Sequence, residues 1–233
     1  MSNNYGPRIV TDGLVLCLDA ADRNSYLGSG TAWGDLSGNG NNGTLTNGPT
    51  FSNANNGVFS FDGVNDSIQG PNSSSLMVTT NFTLSVWVKR TVDQSREQVL
   101  LAKNGEVSPW VGWELMFSTS NTIGLWTSGS AGNGWNYFSY SVTNLDWNNI
   151  TVTFSGTAGG TGTALLYING EYVASIQNKK TPGTPSLRVF EIGKIRNARY
   201  LSGKISQAQI YNKTLTEQQI RQNYNATKGR FGL

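Results

Sequence analysis

The stretch Trp147-Asn148-Asn149-Ile150-Thr151-Val152-Thr153-Phe154, a Gly/Thr/Ala loop, and Ala164-Leu165-Leu166-Tyr167-Ile168-Asn169-Gly170-Glu171-Tyr172-Val173 together decide the fold. Ile150, Val152 and Phe154 alternate with Thr151, Thr153 and Ser155, the period of two of a strand with one buried face. Asn169-Gly170 separates two β-rich runs. Both central residues of a two-residue type I′ turn need φ > 0, which Asn and Gly tolerate best. Such a turn fixes the register: Ile168 opposite Glu171, Tyr167 opposite Tyr172, Leu166 opposite Val173. Leu166 and Val173 then share one face and the two tyrosines the other. Val86, Val88, Ile150, Val152, Phe154, Leu166 and Ile210 are the expected core.

Working outward, Asn81–Lys89 alternates cleanly, with Phe82, Leu84, Val86 and Val88 inward and Thr83, Ser85, Trp87 and Lys89 outward. Gln98–Lys103, Trp113–Ser118, Thr122–Trp126, Phe138–Val142, Leu187–Gly193 and Gly203–Tyr211 read as further strands, and Leu14–Asp19 as a buried first one. Gly57–Gly63 reads as a short strand, with Asp66–Gln69 as its hairpin partner. Tyr26–Asn56, with turn signals at Asn39-Gly40, Asn42-Gly43 and Gly48-Pro49, reads as a long loop region. A single helix is expected at Thr214–Asn225, capped by Thr214 with Glu217 or by Thr216 with Gln219, and stopped by Gly229. The organisation is one domain: a leader at residues 1–12, a body at 13–227 and a tail at 228–233. The fold class is all-β, a two-sheet antiparallel jelly-roll sandwich with one short C-terminal helix.

Composition removes several functions. Only 13% of the 233 residues are charged and the net charge is +3, too weak for an electrostatic nucleic-acid binder. No run is long enough to insert in a membrane. His is absent, which removes His bases, His ligands and His-based triads. A domain of this size buries roughly 70–75% of its unfolded surface, so its core needs no disulfide. The lone Cys17 lies within Leu14-Val15-Leu16-Cys17-Leu18 and reads as a buried small hydrophobe. Met1–Arg8 has no apolar signal region, so the chain is expected to fold in a cytoplasm and to leave by a route such as lysis.

The order of several motifs carries a resemblance. Phe59-Ser60-Phe61-Asp62-Gly63, Phe82-Thr83-Leu84-Ser85-Val86-Trp87-Val88, Trp147-Asn148-Asn149-Ile150, Leu166-Tyr167-Ile168-Asn169-Gly170, Ile192-Gly193, Leu201-Ser202-Gly203-Lys204-Ile205 and Ile210–Thr216 fall in sequence. The chain resembles the laminin-G-like branch of the concanavalin A-like lectin/glucanase superfamily, from about Leu14 to about Thr227. The resemblance implies a jelly roll of one concave and one convex sheet. Gly13–Ala20, Asp35–Leu45 and Gln219–Ala226 are similar to laminin-G-like virion proteins of tailed, notably aquatic, phages. That narrower likeness implies a non-catalytic virion surface component, a capsid decoration or a tail or fibre part. Its implied partners are other virion proteins, further copies of itself and a host-surface glycan. The alternative is a free-standing carbohydrate-binding lectin.

Candidate chemistry follows. The superfamily's glucanases carry a Glu-x-Asp-x-x-Glu strand motif, and this chain has none. Glu97, Glu106, Glu114, Glu171, Glu191 and Glu217 are scattered, so no enzyme is expected. Many relatives carry an acidic pair where this chain has Ile205-Ser206-Gln207-Ala208-Gln209, so the calcium held through that pair is not implied here. Asp35-Leu36-Ser37-Gly38-Asn39-Gly40 reads either as an Asn/Gly turn or as the first half of a structural Ca²⁺ loop. In the second reading Asp35 and Asn39 are ligands, with Asp19 or Asp62 adding charge. Trp110, Trp113, Trp126, Trp135 and Tyr137 are candidates to stack on sugar rings. The basic region Lys179–Lys204 reads as a solvated face, or as an interface for an acidic protein or an anionic polysaccharide. At the chain ends, Tyr5, Arg8, Arg230, Phe231 and Leu233 are candidate assembly anchors.

Overall fold

The Asn169-Gly170 turn forms with φ of 53° and 82°, the pair of positive values that a type I′ turn requires. Ile168 faces Glu171 and Tyr167 faces Tyr172, but Leu166 faces Ala174 rather than Val173. A bulge inserts one residue here, so the consecutive Val173 and Ala174 both pack against the main core. The register expected from the turn alone is therefore corrected by one residue beyond Tyr172.

The computed structural model describes residues 8–90, 96–104, 110–129, 132–184, 188–196 and 198–233, without the side chains of residues 132, 133 and 135. In chain order its strands are β1 (Leu14–Asp19), β2 (Ala32–Trp33), β3 (Gly43–Thr46), β4 (Thr50–Ser52), β5 (Val58–Asp62), β6 (Ser67–Gln69), β7 (Asn81–Arg90) and β8 (Gln98–Asn104). They continue as β9 (Gly112–Phe117), β10 (Thr122–Gly129), β11 (Gly132–Ser141), β12 (Asn148–Gly156), β13 (Thr161–Ile168), β14 (Glu171–Lys180), β15 (Glu191–Ile192) and β16 (Ser202–Tyr211). One sheet runs β14-β13-β12-β7-β16-β5-β4, with β1 also on β16. The other runs β11-β10-β9-β8-β15-β6-β3-β2. Neighbours pair antiparallel, as in β12 with β7 and β10 with β9. The expected core residues all lie in one buried cluster between the sheets.

Two expectations fail for reasons of length and topology. Residues 26–56 hold β2, β3 and β4, each of two to four residues, too short for a period of two to register. Asp66–Gln69 is not the hairpin partner of β5. β5 pairs with β4 and β16, whereas β6 pairs with β3 and β15 in the other sheet. The Asp62 carboxylate accepts from the amides of Val64 and Asn65, and Asp66 accepts from the amide of Asp62. These bonds shape the tight crossing between sheets.

Part of the outer face of the first sheet is covered by the chain itself. Thr83, Ser85 and Trp87, outward by alternation, are buried: Trp87 lies under helix α1 (Glu217–Thr227) and the 3-10 turn Lys228–Phe231, Thr83 bonds the Lys213 carbonyl and the Leu215 amide, and Ser85 shares a hydrogen bond with the Thr151 hydroxyl. Thr216 and Gln219 form the capping box. Gly229 does not stop the chain, which turns at Gly232 with φ of 75°. Trp87 Nε1 donates to Thr227 Oγ1 at 2.8 Å, and its ring stacks on Phe231 with centroids 4.1 Å apart. Trp147 packs on Phe231 and donates to Asn55 Oδ1 at 3.1 Å. Arg230 grips both oxygens of Asp19 at 2.7 and 2.8 Å.

Buried polar groups tie the remaining elements. Cys17 is enclosed, and burial pushes its thiol up to about 12. Lys179 on β14 crosses to the other sheet, where it donates to the Gly134 carbonyl and to Asn136 Oδ1. Burial pushes it down from 10.5 to about 7. Lys103 donates to Asn72 Oδ1 at 3.1 Å and to the Arg188 carbonyl at 2.7 Å, and burial lowers it to about 8. No helix among the described residues is long and apolar enough to cross a membrane.

Candidate functional site

The outer face of the second sheet is built differently. On β9, Trp113 and Leu115 point into the core, so alternation turns Glu114 and Met116 outward. Glu114 faces Trp126 on β10 and Ala102 on β8. Its side chain is fully buried, because the segment after β15 folds over it. Arg196 Nη2 donates to Oε1 at 3.1 Å and Arg199 Nη1 to Oε2 at 2.9 Å. Asn104 Nδ2 also donates to Oε1. Burial raises the Glu114 carboxyl above its ordinary value, and the two guanidiniums partly offset this. Arg196 and Arg199 have φ of 52° and 53°, a left-handed backbone costing about 1–2 kcal/mol per residue for a bulky side chain. A bridge between Ile195 and Ala198 helps hold that conformation.

The network continues to the surface at both ends. Arg199 Nε donates to Glu97 Oε2 at 2.9 Å, and the Tyr137 hydroxyl donates to Glu97 Oε1. The Tyr137 ring lies over Gly124, where an added Cβ would sit 2.7 Å from a ring carbon. Burial first, then the Glu97 bond, pushes the Tyr137 hydroxyl up to about 12. At the other end the Arg196 guanidinium lies 5.1 Å over the Trp110 ring, a cation–π contact. Trp110 is 42% exposed and Tyr137 41%. A continuous chain of contacts therefore runs Trp110, Arg196, Glu114, Arg199, Glu97, Tyr137.

The family model for the concanavalin A-like lectin/glucanases superfamily, of laminin-G type, matches residues 62–221. The chain belongs to this superfamily. Among solved structures, this superfamily sandwich is similar to the receptor binding domain of botulinum neurotoxin type G, with TM-score 0.67 at 18% identity over 91% of this chain and 51% of that one. The binding domain of botulinum neurotoxin DC in complex with SialylT gives 0.70 at 16% identity, over 94% and 52%. The receptor binding domain of the C/D mosaic serotype gives 0.70 at 19%, over 92% and 51%. The chain spans about half the length of these domains, and at such identities the likeness is one of fold. A search of curated proteins gave no match.

Within the superfamily fold, the residues singled out from sequence separate. Trp110 and Tyr137 reach the surface. Trp113 does not: it packs between Phe82 and Phe190 in the core. Trp126 is buried among Val99, Ala102, Met116 and Ile195. Neither ring offers a face to a sugar. The Trp135 backbone pairs with Trp126, and its side chain lies outside the described residues. Glu97 and Glu114, scattered in sequence, are brought together by Arg199. The one trace of this was a Glu placed between Trp113 and Leu115 in a strand.

The carboxylates considered for a cation are each answered by donors. Asp35 accepts from the amides of Cys17, Ser37 and Asn41 and from the Ser37 hydroxyl, which is the turn reading. Asn39 donates its amide to Ser37 Oγ and the Leu14 carbonyl. Asp19 is held by Arg230 and by Gln207, from the stretch where relatives carry acids. Asp62 is used in its own turn, whose amides lower its carboxyl. Among the described residues no three acidic or Cys side chains gather into a metal-holding group. Of the assembly anchors, Arg230 and Phe231 are consumed within the chain, because the tail has the Asp19 carboxylate and the Trp87–Trp147 surface to cover. Arg8 and Leu233 are exposed, and Tyr5 lies outside the described residues.

Proposed function

We propose that this lectin-like sandwich is a non-catalytic recognition module that binds glycans on the outer face of its second sheet. The observation supporting this reading is the exposed pair Trp110 and Tyr137 at the two ends of a rigid ion network. An aromatic face stacks on the apolar face of a pyranose, and fixed guanidinium and carboxylate groups pair with its hydroxyls. The network keeps those groups in place before the ligand arrives, which lowers the ordering cost of binding. A neighbour of similar fold, about half of whose length this chain spans, is a binding domain solved in complex with SialylT, which supports a recognition reading.

The setting we infer is the surface of a tailed-phage particle, with other virion proteins and further copies of the chain as partners. This rests on the likeness of Gly13–Ala20, Asp35–Leu45 and Gln219–Ala226 to virion proteins. A glycan array probed with the intact protein, and with Trp110→Ala, tests the binding reading. Specific binding that falls about tenfold in the variant is expected. A blank array, or full retention by the variant, overturns it. Mass spectrometry of purified particles tests the setting separately.

A further inference from the structure

On the outer face of the first sheet, Lys204 of β16 and Lys89 of β7 are direct cross-strand partners. Their neighbours Ile205 and Val88 both point into the core, so both lysines stand on the opposite side. Like charges directly opposite one another on a sheet repel. Among the described residues one acid answers the two cations: Asp146 lies 3.7 Å from Lys89 Nζ, with its own side chain 84% exposed. The Lys204 ammonium makes no ion pair or hydrogen bond among the described residues. The two amines border a cavity of about 310 Å³, completed by Arg90, Leu145 and Asp146. The Arg90 guanidinium is turned away, over the Phe117 ring and onto Asn121 and the Val142 carbonyl. It adds charge without closing the cavity.

We propose that the Lys89–Lys204 pair is a binding site for the anionic group, carboxylate or sulfate, of an acidic saccharide. An oxyanion seated between two ammonium groups replaces their mutual repulsion with two charge-assisted hydrogen bonds. The Leu145 side chain, 40% exposed, supplies an apolar wall for the sugar ring. Asp146 competes with the incoming anion for Lys89. The site stands on the first sheet and does not depend on Trp110 or Tyr137.

Three oligosaccharides of one length, sulfated, carboxylated and neutral, together with inorganic sulfate, are titrated into the full chain and followed by NMR. Either anionic sugar, or both, is expected to shift Lys89, Lys204 and Leu145, and the neutral sugar is not. Which anion binds more tightly distinguishes sulfate from carboxylate. Lys204→Ala or Lys89→Ala is expected to weaken binding about tenfold, and Asp146→Asn to strengthen it about threefold. Lys180→Ala, away from the cavity, is expected to change nothing. The proposal is overturned if no anion binds there, if the neutral sugar binds equally, or if Lys180→Ala costs as much as Lys204→Ala. Loss of glycan binding in Trp110→Ala alone bears on the other face and leaves this site intact.

Discussion

The two outer faces of the sandwich are put to opposite uses. On the first sheet, aromatic side chains lie inward under a cover made by the chain itself: Trp87 and Trp147 beneath Phe231, and Asp19 locked by Arg230. On the second sheet, Glu114 is buried at the centre of a polar network whose Arg196, Arg199 and Glu97 are partly exposed, and Trp110 and Tyr137 stand exposed at its ends. What separates them is which group the chain covers. A covered ring stabilises the fold, and an exposed ring on a fixed frame is available to a ligand.

The sharpest way to break this comparison is to remove the cover. Truncation after Thr227 exposes Trp87 and leaves Asp19 buried without its cation, and should cost about 5 kcal/mol in denaturant unfolding. A truncated protein of unchanged stability would mean that the tail only rests on the sheet. On the other face, Arg199→Ala leaves Glu114 with one guanidinium in a fully buried position, for a loss of about 3 kcal/mol at pH 7. That loss should shrink towards pH 4, where a protonated Glu114 needs less compensation. Equal losses at both pH values would count against Glu114 as the centre of the network.

Lys179 sharpens the account of the seam between sheets. Its folded-state value of about 7 lies below the ordinary 10.5. The folded chain therefore holds fewer protons than the unfolded one between those limits, and stability should rise with pH across that window. Lys179→Met should stabilise the protein at pH 7 and remove this rise, and thermal melts from pH 7 to 10 measure it. The smallest effect is expected at the rim: Trp110→Ala should leave unfolding within about 0.5 kcal/mol.

Much of the fold was legible because it rests on local chemistry. Asn169-Gly170 needs positive φ, and Ile150, Val152 and Phe154 alternate whatever surrounds them. Reading stopped where a distant segment decides. Nothing in Asn81–Lys89 tells that Trp87 lies under Phe231, about 140 residues away. Trp113 and Trp126 sit in strands whose two faces are both covered, so alternation places them without saying which face is wet. Asp19 and Arg230 are each plausible as a surface charge, and only the packed chain makes them one ion pair. The site network was illegible for the same reason: Glu97, Glu114, Arg196 and Arg199 come from three separate segments.

The most direct test of the glycan-binding face uses the tryptophan indole signals as reporters. A neutral glycan selected from an array is titrated into ¹⁵N-labelled protein. The Trp110 indole N–H and the Tyr137 amide are expected to shift with a common saturation curve. The indoles of Trp87 and Trp147, bonded to Thr227 and Asn55, are expected to stay in place. The Lys89–Lys204 site is not expected to take a neutral sugar, so saturable shifts at Trp87 or Trp147 with Trp110 unmoved would contradict the account.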